Sequence, residues 1–300
     1  VRESMCRHMK LGLVLPMAYP DAREYPEALL EAVRAVAADP FWTAVELPPV
    51  YDEELARVIR ARVSSAALAV VQASQATVRG ERLDFGNADP AERKRCLDRL
   101  ARDLDSAAAL GAAAVAVQSG PETDDACRPA ALAATAESLR ALADAAAECR
   151  LDLLLETFDC AADRKRLLGP TPRAAQLAEA VARPNFGLLL DLSHLPLLGE
   201  TPDQAVRAAG PHLRHVHFGS CVLDKQSPFF GDSHPGFASP GSVNGPAEVR
   251  AMFRACFDAG FFAEGRRPVV SVEVHPQPGE TTETILAAAK RTVIEAWALL

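Results

Sequence analysis

The sequence has little of several things that would narrow its function at once. Only 6% of its 300 residues are aromatic and no run of Lys and Arg is interleaved with them, so a groove tracking nucleic-acid phosphates has no footprint. Its 32 basic residues are outnumbered by 40 acidic ones, and the formal charge of −8 also counts against nucleic acid as a partner. Long apolar runs are missing too. The longest uncharged stretch of the Ala-rich middle, Ala107 to Val117, falls far short of the ~20 residues that cross a bilayer, so no membrane span is expected. The first ten residues carry charge with no apolar stretch behind them; this gives a secretory signal no support and makes the cytoplasm the expected location. The seven cysteines are odd in number and lack any C-x-x-C spacing, which fits reduced thiols and small core residues better than a disulfide framework. No internal repeat and no low-complexity linker marks a second domain, so residues 1–300 read as one.

What is present is a regular alternation. Short apolar runs bounded by turn residues alternate with Ala-rich helical stretches, the pattern of a parallel sheet covered by helices. The strand candidates are Leu11 to Met17, Ala44 to Pro48, Leu68 to Ala73, Ala114 to Gly120, Asp152 to Phe158, Phe186 to His194, Leu213 to Ser220 and Val269 to His275. They are nearly continuous apolar runs, as strands buried on both faces are. Helix candidates include Glu24 to Ala38, Pro90 to Leu110, Ala130 to Cys149, Thr171 to Ala182, Pro246 to Ala259 and Thr282 to Leu299. Eight such units in 300 residues match the (β/α)8 TIM barrel, for which about 250 residues is typical. A doubly wound sheet is the rival, but the first strand runs into Leu15-Pro16-Met17-Ala18-Tyr19-Pro20 with no G-x-G-x-x-G. One long irregular segment, 221–245, lies between strands seven and eight, and loops of that length inside compact domains usually serve function; it is expected to cover the active site.

In a barrel enzyme the chemistry sits where strands end. The last four strands end on Leu153-Leu154-Leu155-Glu156, Leu188-Leu189-Leu190-Asp191-Leu192-Ser193-His194, His215-Val216-His217 and Val270-Ser271-Val272-Glu273-Val274-His275. One acid at a strand end is ordinarily a solvated loop opener. Acids or imidazoles on four consecutive strands, about 4.8 Å apart, converge within reach of a single metal ion. Three carboxylates and an imidazole make a hard, mostly oxygen donor set that suits Mn²⁺, Mg²⁺ or Co²⁺. His215 and His217 point the same way along a strand, so spacing leaves the choice between them open.

These residues carry a resemblance. Glu156, Asp191 with His194, the His215-Val216-His217 triplet and Glu273 are similar to the metal site of the xylose-isomerase-like barrel superfamily of sugar isomerases and ketose 3-epimerases. The resemblance implies one divalent cation, Mn²⁺ first, with Mg²⁺, Co²⁺ or Zn²⁺ as alternatives. It implies Glu156, Asp191, His217 and Glu273 as ligands, Glu156 and Glu273 also as catalytic base and acid, and His194 reaching a substrate oxygen. The loop sequences Phe230-Gly231-Asp232-Ser233-His234-Pro235-Gly236-Phe237 and Pro240-Gly241-Ser242-Val243-Asn244, with Glu156-Thr157-Phe158-Asp159, resemble a subgroup that contains the larger subunits of bacterial C-glycoside deglycosidases.

The implied chemistry is proton abstraction beside the carbonyl of a keto sugar or sugar derivative. A deglycosidase would begin in the same way and then expel the aglycone by β-elimination, with a small β subunit as partner. Asp232, His234 and His275 are candidate substrate contacts, and Asp232 with His234 alternatively fits a second metal. The zinc apurinic-site endonucleases of the superfamily carry histidines at the ends of strands three and four; here those ends read Val71-Gln72-Ala73-Ser74-Gln75 and Val117-Gln118-Ser119-Gly120. Gln118 offers an amide to a sugar hydroxyl or is a solvated loop residue. Glu46 lines the pocket or pairs with an arginine in the barrel. Asp159, Arg164 and Lys165 read as a solvated face, and Trp42 and Phe229-Phe230 as sugar-stacking or packing aromatics. A non-catalytic sugar-binding barrel is the remaining reading, and a homo-oligomer, a dimer by default, is expected.

Overall fold

The computed structural model describes residues 1–263 and 265–300. Eight parallel strands follow one another around a barrel: β1 (Lys10–Leu13), β2 (Ala44–Leu47), β3 (Ala69–Ala73), β4 (Ala114–Gln118), β5 (Asp152–Glu156), β6 (Phe186–Asp191), β7 (Leu213–Phe218) and β8 (Val269–Val272). Each pairs with its sequence neighbour, and β8 pairs with β1 from Lys10↔Val269 to Leu13↔Val272. Between β1 and β2 the ring is completed by the Thr43 N–H bond to Leu11 O (2.8 Å) and a parallel bridge from Val14 to Glu46. This is the (β/α)8 barrel that the alternation predicts.

A helix follows every strand on the outside. They are α1 (Pro26–Ala38), α2 (Glu53–Ser65), α3 (Pro90–Leu110), α4 (Arg128–Glu148), α5 (Thr171–Val181), α6 (Pro202–Ala209), α7 (Pro246–Asp258) and α8 (Thr282–Ala298). Two of them, α2 and α6, are additional to the helices expected from sequence. Their starts are capped all the same: Asp52 accepts from Leu55 N–H, and Thr201 forms a capping box with Gln204. Gly111 stops α3 in the left-handed conformation, φ 73°, that glycine adopts without steric cost. Strand one is shorter than expected. Pro16, with no N–H to give a ladder and a φ suited to a helix start, turns Leu15–Ala18 into a short helical turn.

Strand periodicity of two decides which side chains face the barrel axis. Outward residues such as Leu153, Leu155, Leu188, Leu190, Val216 and Val270 are buried under the helices and form most of the core. The inward set begins with a smaller apolar layer of Val71, Ala114, Ala116, Leu154 and Leu189. Two residues further along the same strands the inward positions are Ala73, Gln118, Glu156 and Asp191, followed around the ring by His217 and Glu273. Interior space is tight at β1, where a Cβ on Gly12 would lie 2.3 Å from Ser271 Oγ. Burying apolar area at roughly 25 cal/mol per Å² stabilises the outer layer, and this offsets the polar inner layer at the mouth. Trp42 is 4% exposed and edge-on to Phe41 in the outer core, so packing accounts for it. Among the described residues no helix is long and apolar enough to cross a membrane.

Candidate metal centre and cavity

Strand register brings the polar ends together. Gln118 is level with Glu156 across β4 and β5, and Asp191 is level with His217 across β6 and β7. Ligand atoms of Glu156, Asp191, His217 and Glu273 all lie within 4.8 Å of one another, and all four residues are buried. His217 Nδ1 is the centre of the group, 2.7 Å from Glu273 Oε2, 3.7 Å from Glu156 Oε1 and 3.9 Å from Asp191 Oδ2. None of His217 Nδ1, Asp191 Oδ2 and Glu273 Oε2 has a hydrogen-bond partner, although all are sealed from solvent. Buried polar atoms left without partners are costly and rare. Lone pairs aimed at a common centre are what a cation requires, so the donor set fits one. Asp191, His194 and His234 form a second, overlapping group by the same distance criterion.

The far side of His217 resolves the choice between the two histidines. His217 Nε2 donates to Glu46 Oε1 at 2.9 Å, and His215 Nε2 donates to the same oxygen at 2.8 Å. Glu46 is 0% exposed, lies beneath the cavity and pairs with imidazoles across the barrel, neither lining the pocket nor meeting an arginine. Burial alone would push its carboxyl up, but the charges of His217 and His215 and their hydrogen bonds hold it well below the usual range. An ionised carboxylate there fixes the His217 ring with Nδ1 toward the other ligands. His215, facing Glu46 only, is the hydrogen-bonded interior histidine.

A second carboxylate between two imidazoles stands in the seventh loop. Asp232 Oδ1 is 2.7 Å from His234 Nε2 and 3.1 Å from His194 Nε2. His194 Nδ1 donates to Thr157 O at 2.6 Å, and its ring lies 4.3 Å from the ring of Phe158. Burial works against the charged imidazole, yet Asp232 and Asp191 raise His194 to about 10; Asp232 and Glu273 raise His234 to about 9 in the same way. His194, expected to reach a substrate oxygen, is 0% exposed behind Asp232 and is absent from the cavity wall. His234 adopts a left-handed backbone, φ 49°, uncommon for a residue other than glycine and found disproportionately at functional sites. Gly219 makes room for it: a Cβ there would be 3.0 Å from His234 Nδ1.

Asp159 builds the loop that holds Asp232. Its carboxylate accepts from the backbone N–H groups of Ala161, Ala162, Asp163 and Arg164 at 2.6 to 3.1 Å, and it is 1% exposed. The turn so formed delivers Arg164 Nε to Asp232 Oδ2 at 2.8 Å. Asp159 and Arg164 are therefore structural parts of the site and not the solvated face that the sequence implies. Gln75, another residue outside the sequence candidates, donates from Nε2 to Glu156 Oε2 at 2.8 Å. Gln118 donates to Gln75 O at 2.6 Å, so its N–H₂ is committed to orienting Gln75, and its own Oε1 is the atom left without a partner.

Above this layer opens a cavity of 610 Å³. Glu156, Glu273, Gln118, Asp232, His234 and His275 are on its wall; Asp191 and His217 lie below it. His275 is half-buried, and its ring Nδ1 donates to Pro276 O at 2.9 Å. Phe229 of segment 221–245 also lines the cavity. That segment is folded on itself by bridges from Val222 to Gly231 and to Ser242, and Asn244 pins it to Leu192 O and Gly219 O.

The barrel and the cluster at its mouth define a class. Residues 33–291 match the model of the xylose isomerase-like TIM barrel family, and the chain belongs to that family. Solved structures with the same fold include the D-psicose 3-epimerase of Clostridium cellulolyticum H10 with D-tagatose, 17% identical, TM-score 0.67, covering 97% of this chain and 98% of that one. The 3-keto-D-glucoside 4-epimerase YcjR of E. coli is 16% identical, with TM-score 0.70 and coverage of 95% and 98%. The IOLI protein, solved with a zinc atom, is 17% identical, with TM-score 0.69 and coverage of 96% and 98%. At these identities the likeness establishes the fold alone. No curated protein is similar enough in sequence to match.

Proposed function

We propose that this protein is a divalent-metal-dependent isomerase or epimerase that removes a proton beside the carbonyl of a keto sugar or sugar derivative. The observation that carries the reading is the convergence of unpartnered Asp191 Oδ2, His217 Nδ1 and Glu273 Oε2, with Glu156 beside them, at the C-terminal end of the barrel. The similarity in fold to sugar epimerases supports it. Three carboxylates and one imidazole favour Mn²⁺, with Mg²⁺, Co²⁺ or Zn²⁺ as alternatives. Bound by these four residues, the cation would supply a Lewis acid for the substrate's carbonyl and neighbouring hydroxyl.

The chain's own groups supply the proton transfers. Glu156 and Glu273 stand on β5 and just after β8, on opposite flanks of the cluster and on the cavity wall. One takes the α-proton while the other delivers a proton to the opposite face of the carbon. Gln75 holds Glu156 by one oxygen and leaves the other facing the site. Asp232, oriented by Arg164, and His234 present hydrogen-bonding groups to substrate hydroxyls, and His275 lines the same wall.

A second reading is favoured by the size of the cavity and by the long seventh loop. A free ketohexose displaces about six waters, on the order of 180 Å³ at ~30 Å³ each, well below 610 Å³. A 3-keto-C-glycoside would use the space, with the same proton abstraction followed by loss of the aglycone; a C-glycoside deglycosidase of this kind would also engage a small β subunit. Incubating the metal-loaded protein in D₂O with free ketoses and with 3-keto-C-glucosides separates the two. Deuterium entering ketoses without aglycone release supports the first reading, and aglycone release supports the second. Metal-free protein that binds sugar and exchanges nothing would leave only a binding barrel.

A further inference from the structure

The half of the cavity wall remote from Glu156 and Glu273 carries cationic groups that the proton-transfer chemistry does not use. Arg23 comes from the loop after β1, and Arg79 from the short helix Gln75–Gly80 after β3; both line the same cavity as Glu156 and Glu273. Arg23 is fixed by Nε donating to Pro16 O at 2.8 Å and by contact with Met17 Sδ. Among the described residues neither Arg23 nor Arg79 forms an ion pair with a carboxylate. Both are exposed at the rim. Partial burial still lowers the Arg79 guanidinium from its ordinary value, and the charges of Arg164 and Arg23 lower it further.

A single unpaired surface arginine is ordinarily just hydrated. Two from separate loops, facing one cavity and within electrostatic reach of each other and of Arg164, are a different matter. Like charges brought together across a partly apolar wall oppose one another, and a bound anion would relieve that. Guanidinium forks match carboxylate and phosphate oxygens, and a cleft lined by one sign of charge concentrates ligands of the other. The acids of the same cavity do not neutralise them: Glu156 and Glu273 are engaged with Gln75 and His217, and Asp232 with Arg164 and two histidines.

We propose that the substrate carries an anionic oxygen group, a carboxylate or a phosphate, away from the reacting carbon, and that Arg23 and Arg79 bind it and so select the substrate. The proposal rests on the keto-sugar reading for the position of the reacting end. Arg164, committed to Asp232, is a positioning residue and not part of the anion subsite.

The test is deuterium exchange by the Mn²⁺-loaded full chain on D-fructose, D-fructose 6-phosphate and the keto sugar acid D-tagaturonate. One of the two anionic ketoses is expected to exceed D-fructose in kcat/KM by about 100-fold, the scale of charge-assisted hydrogen bonds. Which one it is separates phosphate from carboxylate. In Arg23→Gln/Arg79→Gln that preference should fall by about 30-fold, mainly through KM. Equal handling of all three sugars, or a preference unchanged in the double variant, overturns the proposal while leaving the epimerase reading intact. If no sugar exchanges, that reading fails, and calorimetric titration with inorganic phosphate decides the anion subsite. Binding about tenfold tighter to the wild type than to the double variant upholds the subsite, and equal binding overturns it.

Discussion

The two halves of the barrel mouth share one backbone plan and differ almost completely in chemistry. From β5 to β8 the last inward positions are Glu156, Asp191, His217 and Glu273, and the seventh loop adds Asp232 and His234. From β1 to β4 the same cavity is lined by Val14, Pro16, Pro48, Ala73 and Gln118, with Arg23 and Arg79 at the rim. Glu46, on β2, is turned beneath the other half to hold His215 and His217. A barrel presents an inward residue at each strand end whatever its type. Here one half supplies ligands and proton-transfer groups, and the other supplies shape and charge for the remainder of the substrate.

Substitutions in the two halves should therefore fail differently. Asp191→Asn or His217→Ala should abolish stoichiometric metal binding and lower the exchange rate by roughly 10³-fold, within the range of an acid–base contribution; metal analysis beside deuterium exchange checks both. Glu46→Gln keeps the four ligands but lets the His217 ring turn, so metal affinity should fall by about 10- to 100-fold, read by titration against a fluorescent chelator. In the opposite half Ala73→Leu narrows the cavity. It should raise KM by roughly tenfold, a few methylene equivalents of steric conflict, with metal content unchanged. Loss of metal in that variant would break the division of labour.

The smallest effect is at the seam. Glu122, in the loop after β4, accepts from Arg173 at 2.7 Å and Arg128 at 3.0 Å, and its backbone N–H bonds Lys165 O in the loop after β5. Burial opposes ionisation of Glu122, but Arg173, the Thr123 N–H and Arg128 outweigh it and lower its carboxyl. A depressed carboxyl stabilises the fold above the unfolded value, about pH 4.3, and that contribution is lost as pH falls further. Glu122→Gln should thus cost less than about 1 kcal/mol at pH 7 and converge on the wild type near pH 3. Parallel denaturation curves at the two pH values measure it.

How far the sequence could be read depended on how local each relation was. Strand positions and inward parity follow from apolar runs and a period of two, so the eight strands and the heights of Glu156, Asp191 and His217 were visible. Glu46 and His215 meet across the barrel, 169 residues apart, and no spacing rule links them. Asp159 looked solvated because a charged loop usually is. Its signal was the Asp followed by four free N–H groups, an extended Asx-turn pattern. His194 sits three residues after Asp191, as the metal-site pattern suggested, yet the turn after β6 carries its ring behind Asp232. Arg23 and Arg79 lie in loops whose course depends on Pro16 and on the short helix after β3, and charge composition gave no hint of where they would gather.

One titration tests the central claim most directly. Metal-stripped protein is loaded stepwise with Mn²⁺ while deuterium incorporation into a ketose substrate is followed by mass spectrometry. The account predicts exchange that is absent without metal, rises in proportion to occupancy and levels off at one ion per chain. Exchange by the metal-stripped protein at the loaded rate, or a chain that retains no ion, would contradict it.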